Sequence, residues 1–294
     1  MRVSVRCPAK VNLHLEVLGR RGDGYHELRT LFASVGVWDE LRFAPAPPGE
    51  LTLEVEPTGV VPTDGTNLIV KAAKALAEAW PPATGARLHL CKRIPVAGGM
   101  GGGSADAAAT LVGLAELWQI PVRLGELRRI AAELGADVPF FLVGGAAWGV
   151  GRGSEVYPLA DLPAWWVVLL PGQESVPTGE VYRALSGRTL DGRLGSEVYE
   201  WVVSGGELPI HACRNDLQPT VLERWRAIAG RLERVQQARP RLAMVSGSGG
   251  TVFGLFGDEA AALDAAVTLA DLGPIVAPVL GRDAARLQPL VGEG

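Results

Sequence analysis

The chain has 294 residues, 48% hydrophobic and 20% charged, a length that suggests about two domains and a balance that excludes a wholly disordered protein. Its 28 Lys+Arg against 32 Asp+Glu leave a net charge of -4. That balance disfavours a general nucleic-acid binder, whose electrostatic footprint is basic.

Arg2, Arg6, Pro8 and Lys10 interrupt any apolar leader at the start. Val11–Val17 then alternates apolar and polar residues, the period of a half-buried strand. Lys10, Asn12, His14 and Glu16 share one face of it, and Lys10 taken alone reads as solvent-facing. Gly19, Gly22, Asp23 and Gly24 break the pattern into a loop carrying Tyr25 and His26. Short strands are expected at Leu31–Val37, Leu41–Phe43 and Leu51–Glu56. A helix is expected from Asn67 to Trp80, with Leu68, Ala72, Leu76 and Trp80 four apart and Pro81-Pro82 as its stop. Leu88 and Leu90 mark another strand, which leads through Lys92 and Arg93 into a glycine-rich segment. Helices follow over Ser104–Leu117 and Leu124–Leu134, the second with Gly135 as its left-handed cap. The glycine-rich crossing from Gly144 to Gly153 marks the boundary between halves. Beyond it the pattern gives a strand at Trp166–Leu170, helices near 179–185 and 197–203, and one long helix over Val221–Ala238. Strands at 242–246 and 251–256, a helix over 259–272 and a last strand near 275–279 complete the reading. One of the densest apolar runs, Ala164–Leu170, has seven residues and stops at Pro171, against the roughly 20 of a membrane span. Cys7, Cys91 and Cys213 lie far apart without Cys-x-x-Cys spacing, as in a cytoplasmic protein with reduced thiols, and not as in a disulfide framework or zinc site. Mixed elements without strict βαβ alternation indicate an α+β fold.

The strongest local signal is Pro95-Val96-Ala97-Gly98-Gly99-Met100-Gly101-Gly102-Gly103-Ser104-Ala105-Asp106, with five glycines in six positions directly before a helix. Unobstructed backbone N–H groups and the positive end of a helix dipole form an anion site suited to nucleotide phosphates. The dinucleotide fingerprint fails because Ser104 stands where its third glycine belongs. The P-loop fails because Ser104-Ala105 follows Gly103 in place of Lys-Ser/Thr. The plain alternative is a flexible loop capped by Ser104. Asp137, between Gly135 and the apolar Val138-Pro139-Phe140-Phe141, is either a turn or capping residue or a carboxylate beside a reacting hydroxyl. Tyr25 and His26 are either loop packing or a recognition pair. Gly247-Ser248-Gly249-Gly250 is either a plain hairpin turn or a second backbone nest. The chain contains no His-Glu-x-x-His, and Met244 rules out a nucleophile elbow at Ser246.

Three segments, Pro8-Ala9-Lys10-Val11-Asn12-Leu13, Pro95–Asp106 and Ser246–Phe256, resemble in that order the three motifs of the GHMP kinase superfamily. Gly22-Asp23-Gly24-Tyr25-His26-Glu27-Leu28 and Leu134–Phe141 are similar to segments of the branch that phosphorylates 4-diphosphocytidyl-2-C-methyl-D-erythritol. The resemblance implies a two-domain α+β GHMP kinase fold. Residues 1-152 would form an ATP-binding domain similar to the second domain of ribosomal protein S5, and residues 153-294 a ferredoxin-like domain. It implies transfer of the ATP γ-phosphoryl group to the 2-hydroxyl of that small-molecule substrate, with Mg²⁺ as second cofactor, in non-mevalonate isoprenoid biosynthesis. It gives Asp137 and Lys10 the catalytic roles, and assigns Asn12, Tyr25, His26 and Tyr182 to the cytidyl end, with the base sandwiched between Tyr25 and Tyr182. The glycine loop, Asn67 and Lys92 fall on the ATP side. Arg214-Asn215-Asp216-Leu217 is similar to a structural segment of the second domain. No acidic Mg²⁺ ligand stands out. The expected protein is cytoplasmic, a monomer or weak homodimer, with no nucleic-acid or membrane partner. A superfamily kinase for another small alcohol and a non-catalytic ligand sensor are the alternatives.

Overall fold

The computed structural model describes residues 1–185 and 196–292. Its first half contains β1 (Arg2–Arg20), β2 (His26–Ala46), β3 (Leu51–Glu56), α1 (Leu68–Ala79), β4 (Gly85–Cys91), α2 (Gly102–Leu117), α3 (Leu124–Leu134), α4 (Val138–Phe141), β5 (Ala146–Gly151) and β6 (Glu155–Pro158). The second half continues with β7 (Trp166–Leu170), α5 (Thr178–Ala184), α6 (Ser196–Ser204), α7 (Gln218–Arg224), α8 (Arg226–Gln237), β8 (Leu242–Val245), β9 (Val252–Phe256), α9 (Glu259–Thr268), β10 (Ile275–Pro278), α10 (Arg282–Ala285) and β11 (Leu290–Gly292).

One sheet runs β11-β1-β2-β4-β3, with β5 on β2 and β6 on β5; the other runs β10-β7-β9-β8. The second sheet, with helices between β7 and β8 and between β9 and β10, has the βαββαβ order of a ferredoxin-like unit. The expected division at 152/153 falls in the turn joining β5 to β6, which pair with each other. The chain passes between sheets after Pro158, and β11 returns beside β1.

β1 carries the architecture. A shift in its pairing with β2 between Pro8 and Ala9 bends the sheet. Val3, Val5 and Cys7 pack into a core with α1 and α2, Ala9, Val11 and Leu13 into a core shared with Val167, Leu169 and Phe253 of the second sheet, and Leu15 and Val17 into a third core with α7 and α8. Each fully buried aliphatic or phenyl side chain contributes roughly 1.5–3 kcal/mol. The polar face of β1 is not solvent-facing as expected: Lys10 is 3% exposed and Asn12 2%, while His14 and Glu16 are fully covered.

Several local expectations change for tertiary reasons. The strands expected at 31–37 and 41–43 are one long strand, because β2 is paired on both sides and runs through Asp39 and Glu40. Gly101, in the left-handed region at φ 70°, is the N-cap of α2, so Ser104 lies inside the helix and does not cap it. Gly135 is extended at φ 174° and is not a left-handed cap. The long helix over 221–238 is two helices broken at Trp225, whose backbone leaves helical angles. The strand near 275–279 is followed by α10 and β11.

Candidate active site

Three hydrogen bonds, one from β1 and two from the 246–251 segment, hold the glycine loop. Lys10 N–H donates to the Met100 carbonyl at 3.0 Å. Ser246 Oγ donates to the Gly99 carbonyl at 3.0 Å, and Thr251 N–H to the Gly98 carbonyl at 3.1 Å. The 246–251 segment therefore packs its backbone onto the loop. A Cβ on Gly249 would lie 2.3 Å from Gly99 N, and one on Gly99 2.2 Å from the Ser246 carbonyl oxygen. Glycine on both sides is what this approach requires. Buried Asn215 fixes the same segment by donating to the carbonyls of Val245 at 2.9 Å and Gly247 at 2.7 Å. Arg231 of α8 donates to the Gly250 carbonyl at 3.2 Å. Arg214 and Asp216 dock beside Leu15 and Val17 of β1, which supports the structural reading of their segment.

Two cavities meet at this loop. The first, about 910 Å³, is lined by Lys10, Asn12, Tyr25, His26, Asp137 and Tyr182 among others. The second, about 440 Å³, is lined by Pro95–Ser104 together with Asn67 and Lys92. Gly99, Gly101 and Ser104 line both.

Lys10 Nζ lies 3.2 Å from Asp137 Oδ2 at the floor of the first cavity. Asp137 holds the N-cap position of α4, yet its side chain makes no capping bond, so the turn-or-cap alternative does not account for its carboxylate. Lys10 Nζ also donates to Asn12 Oδ1 at 2.7 Å, Asn12 Nδ2 to Thr30 Oγ1 at 2.8 Å, and Thr30 Oγ1 to the His14 carbonyl at 2.8 Å. The Asn12 amide, expected at the cytidyl end, is thus engaged at both ends in fixing Lys10.

The ring against Tyr182 is His26, with centroids 5.1 Å apart and planes at 31°. Tyr25 is 57% exposed with the Arg152 guanidinium over its ring, at the edge of the same cavity. Burial, reinforced by the Arg20 charge, holds the His26 imidazole below the usual histidine range. Burial and the Asp137 charge push the Tyr182 hydroxyl up.

On the second cavity, Asn67 caps α1 by accepting from Ile69 N–H at 2.9 Å. Lys92 is enclosed between Asp39 at 2.5 Å and Asp106 at 2.9 Å. Asp39 accepts in addition from Arg93 N–H at 2.6 Å and Ile94 N–H at 2.8 Å, which anchors the strand that enters the loop. Burial of Asp106, with the Asp39 charge opposing the relief that Lys92 gives, moves its carboxyl up to about 7. Motif reading did not single out Asp39 or Thr30, and it gave no role to Asp106 although that residue closes the glycine-rich motif; the sequence signal for Asp39 is an acid between two strand-like runs. Ser248, which lines the first cavity, and Thr178 join their hydroxyls at 2.7 Å.

The carboxylates lining the cavities do not converge. Asp137 lines the first and is paired with Lys10, while Asp106 lines the second and is paired with Lys92. Mg²⁺ commonly takes one or two carboxylates plus substrate phosphates, so this donor set fits an ion carried mainly by a nucleotide, with the Ser104 hydroxyl as the oxygen shared by both cavities.

Residues 67–145 match the model of the GHMP kinases N terminal domain. A 4-diphosphocytidyl-2-C-methyl-D-erythritol kinase of Deinococcus radiodurans is 44% identical over 271 residues, covering 91% of this chain and 89% of that protein. The crystal structure of a 4-(cytidine 5'-diphospho)-2C-methyl-D-erythritol kinase superposes with a TM-score of 0.77 at 36% identity, covering 95% of this chain and 99% of that one. A homoserine kinase from Cytophaga hutchinsonii superposes with a TM-score of 0.75 at 17% identity, covering 98% of this chain and 96% of that one, a likeness of fold alone. With its paired cavities, its glycine loop and these relatives, the chain belongs to the 4-diphosphocytidyl-2-C-methyl-D-erythritol kinase family of the GHMP kinases.

Proposed function

We infer that this chain transfers the γ-phosphoryl group of ATP to the 2-hydroxyl of 4-diphosphocytidyl-2-C-methyl-D-erythritol, giving the 2-phosphate and ADP in isoprenoid biosynthesis. The observation that carries the reading is the Lys10–Asp137 pair, 3.2 Å apart in the first cavity, beside the glycine loop that both cavities share.

In this reading ATP occupies the second cavity, with its phosphates over the N–H groups of Gly98–Ser104 at the start of α2. The acceptor occupies the first, which falls in the size range of small-molecule sites. Asp137 accepts the proton of the 2-hydroxyl as the oxygen bonds to the γ-phosphorus and the bond from that phosphorus to the β-phosphate oxygen breaks. Lys10, buried and aimed by Asn12, stabilises charge on the transferring phosphoryl oxygens. Phosphoryl transfer needs chiefly positioning and charge neutralisation, which these groups supply. The Ser104 hydroxyl, on a residue that lines both cavities, would help hold a Mg²⁺ carried on the nucleotide phosphates, which would supply charge neutralisation there. His26 and Tyr182 receive the cytosine, with Tyr25 and Arg152 at the mouth. Among the described residues no helix is long and apolar enough to cross a membrane; the cytoplasmic placement of the enzyme rests instead on Cys7, Cys91 and Cys213, which are free thiols.

The test is ADP release from Mg²⁺-ATP with 4-diphosphocytidyl-2-C-methyl-D-erythritol, mevalonate, homoserine and galactose as separate acceptors. Turnover with the cytidyl compound alone is expected. Turnover with another acceptor would overturn the reading of the first cavity, and ATP binding without turnover on any acceptor would point to a sensor.

A further inference from the structure

Among the described residues one cluster of metal-ligating types lies outside both cavities, on the outer face of the β3–β4 pair. Residue spacing argues against zinc here, because no cysteine has a Cys-x-x-Cys partner. Strand pairing changes that conclusion. β3 runs parallel to β4 with Glu56 opposite Cys91 and Glu54 opposite His89, so His89, two residues before Cys91, projects on the same face. Cys91 Sγ lies 3.6 Å from His89 Nδ1 and 3.8 Å from Glu56 Oε2, and His89 Nε2 lies 3.9 Å from the same carboxylate oxygen. One ligand atom from each residue falls within 4.8 Å of the others.

Those separations suit one cation in particular. Zinc bonds of about 2.3 Å to sulfur and about 2.0–2.1 Å to nitrogen and oxygen, set at tetrahedral angles, place neighbouring ligand atoms roughly 3.5 Å apart. The sulfur–nitrogen edge already has that length. The Sγ–Oε2 edge, at 3.8 Å, is a few tenths of an ångström longer. The 3.9 Å contact to the carboxylate is made by Nε2, the other ring nitrogen, so an ion held through Nδ1 would require the exposed Glu56 side chain to swing toward it, from within the 4.8 Å that separates the three ligand atoms at most. A thiolate with an imidazole selects a borderline-soft ion over Mg²⁺ or Ca²⁺. The Glu56 carboxylate and the Cys91 thiolate together balance a dication. Across β4, Glu40 is the register partner of Cys91 on β2, but it is paired with Arg42 at 2.7 Å, so the fourth ligand of an ion here would come from solvent.

We propose that Glu56, His89 and Cys91 form a surface site for a zinc-class divalent transition-metal ion. Binding replaces the thiol proton of Cys91, which leaves to solvent, with a metal–sulfur bond. The Glu56 carbonyl accepts from Lys92 N–H at 2.7 Å, so an ion here would clasp the end of β3 to the residue that enters the glycine loop. The site would then stabilise the nucleotide side of the fold without touching substrate.

Titration of the full-length, metal-stripped protein with Co²⁺ tests this. The expected result is one equivalent bound, with thiolate-to-cobalt charge-transfer absorption in the near ultraviolet that Zn²⁺ abolishes. The absorption should disappear in Cys91→Ser, require at least tenfold more Co²⁺ in His89→Ala, and persist in Cys213→Ser. Zn²⁺ should raise the thermal midpoint of the parent protein and leave that of Cys91→Ser unchanged, while ADP release by Cys91→Ser stays at the parent level. Absence of the thiolate band at stoichiometric Co²⁺, or its survival in Cys91→Ser, would overturn the proposal.

Discussion

Lys10 Nζ and Asp137 Oδ2 lie 3.2 Å apart although 127 positions separate the two residues in the chain, and only the carboxylate is partly open to solvent, 36% against 4% for the lysine side chain. The ammonium is therefore fixed by protein, while the carboxylate faces the space where an acceptor hydroxyl would sit.

That asymmetry makes Asp137→Asn informative. An amide keeps the shape but cannot take the hydroxyl proton, so turnover should fall by about 10²–10⁴-fold. Nucleotide affinity, which the proposed function assigns to the glycine loop, should change by less than about twofold. Single-turnover ADP release alongside a nucleotide-binding titration checks both. Parent-level turnover in this variant would remove Asp137 from the base role.

His26 rests on Tyr182 at 5.1 Å, which occupies a face that a cytosine could use. Tyr182→Ala should raise KM for the cytidyl substrate about three- to tenfold, the scale of one aromatic stacking contact, with KM for ATP unchanged. Burial and then the Arg20 charge hold the imidazole below the usual histidine range, so its protonation, and any rise in KM that follows from it, should set in at more acidic pH than for an ordinary histidine. Steady-state kinetics across pH, with His26→Gln as the non-titrating control, tests the assignment.

The glycines of the loop are not equivalent. Gly99→Ala combines a positive φ of 74° with a Cβ 2.2 Å from the Ser246 carbonyl oxygen, and should cost about 1–3 kcal/mol or more and abolish ATP binding. Gly103 lies in α2, and the nearest atom to an added Cβ is Leu68 Cδ1 at 3.8 Å. Gly103→Ala should therefore be neutral in stability or stabilising by up to about 1 kcal/mol. Thermal unfolding of the two variants side by side gives the contrast.

Asp106 supplies a pH dependence of stability. Its folded-state pKa of about 7 lies above the ordinary carboxylate value of 3.8. Between those values the folded chain holds a proton that the unfolded chain has released, so this group's contribution falls as pH rises through that window and levels off above it. Urea unfolding at pH 5 and pH 8 should show a smaller loss on going to pH 8 in Asp106→Asn than in the parent. An identical pH response in both proteins would exclude Asp106 as its source.

The sequence by itself determined the fold class, the glycine loop and its place before a helix, and which residues carry the family motifs. Those features reside in local order: an unbroken alternation over Val11–Val17 of β1, five glycines in six positions, and the Pro81-Pro82 stop after α1, whereas the cap expected at Ser104 falls at Gly101 and the cap at Gly135 is extended, not left-handed. It did not determine which polar residues are buried. Lys10 reads as an exposed strand residue because alternation reports two faces and not what covers each; the other face of β1 is closed by packing from distant parts of the chain. Nor could it show that Asn12 aims Lys10, that His26 packs on Tyr182, or that Asp39 and Asp106 enclose Lys92. The same limit hid the proximity of Glu56 to Cys91, 35 positions apart, which exists only because β3 and β4 pair in parallel register. Pairwise electrostatics and coordination depend on separations of a few ångströms, and those are set by strand register and layer packing, which motif spacing does not encode.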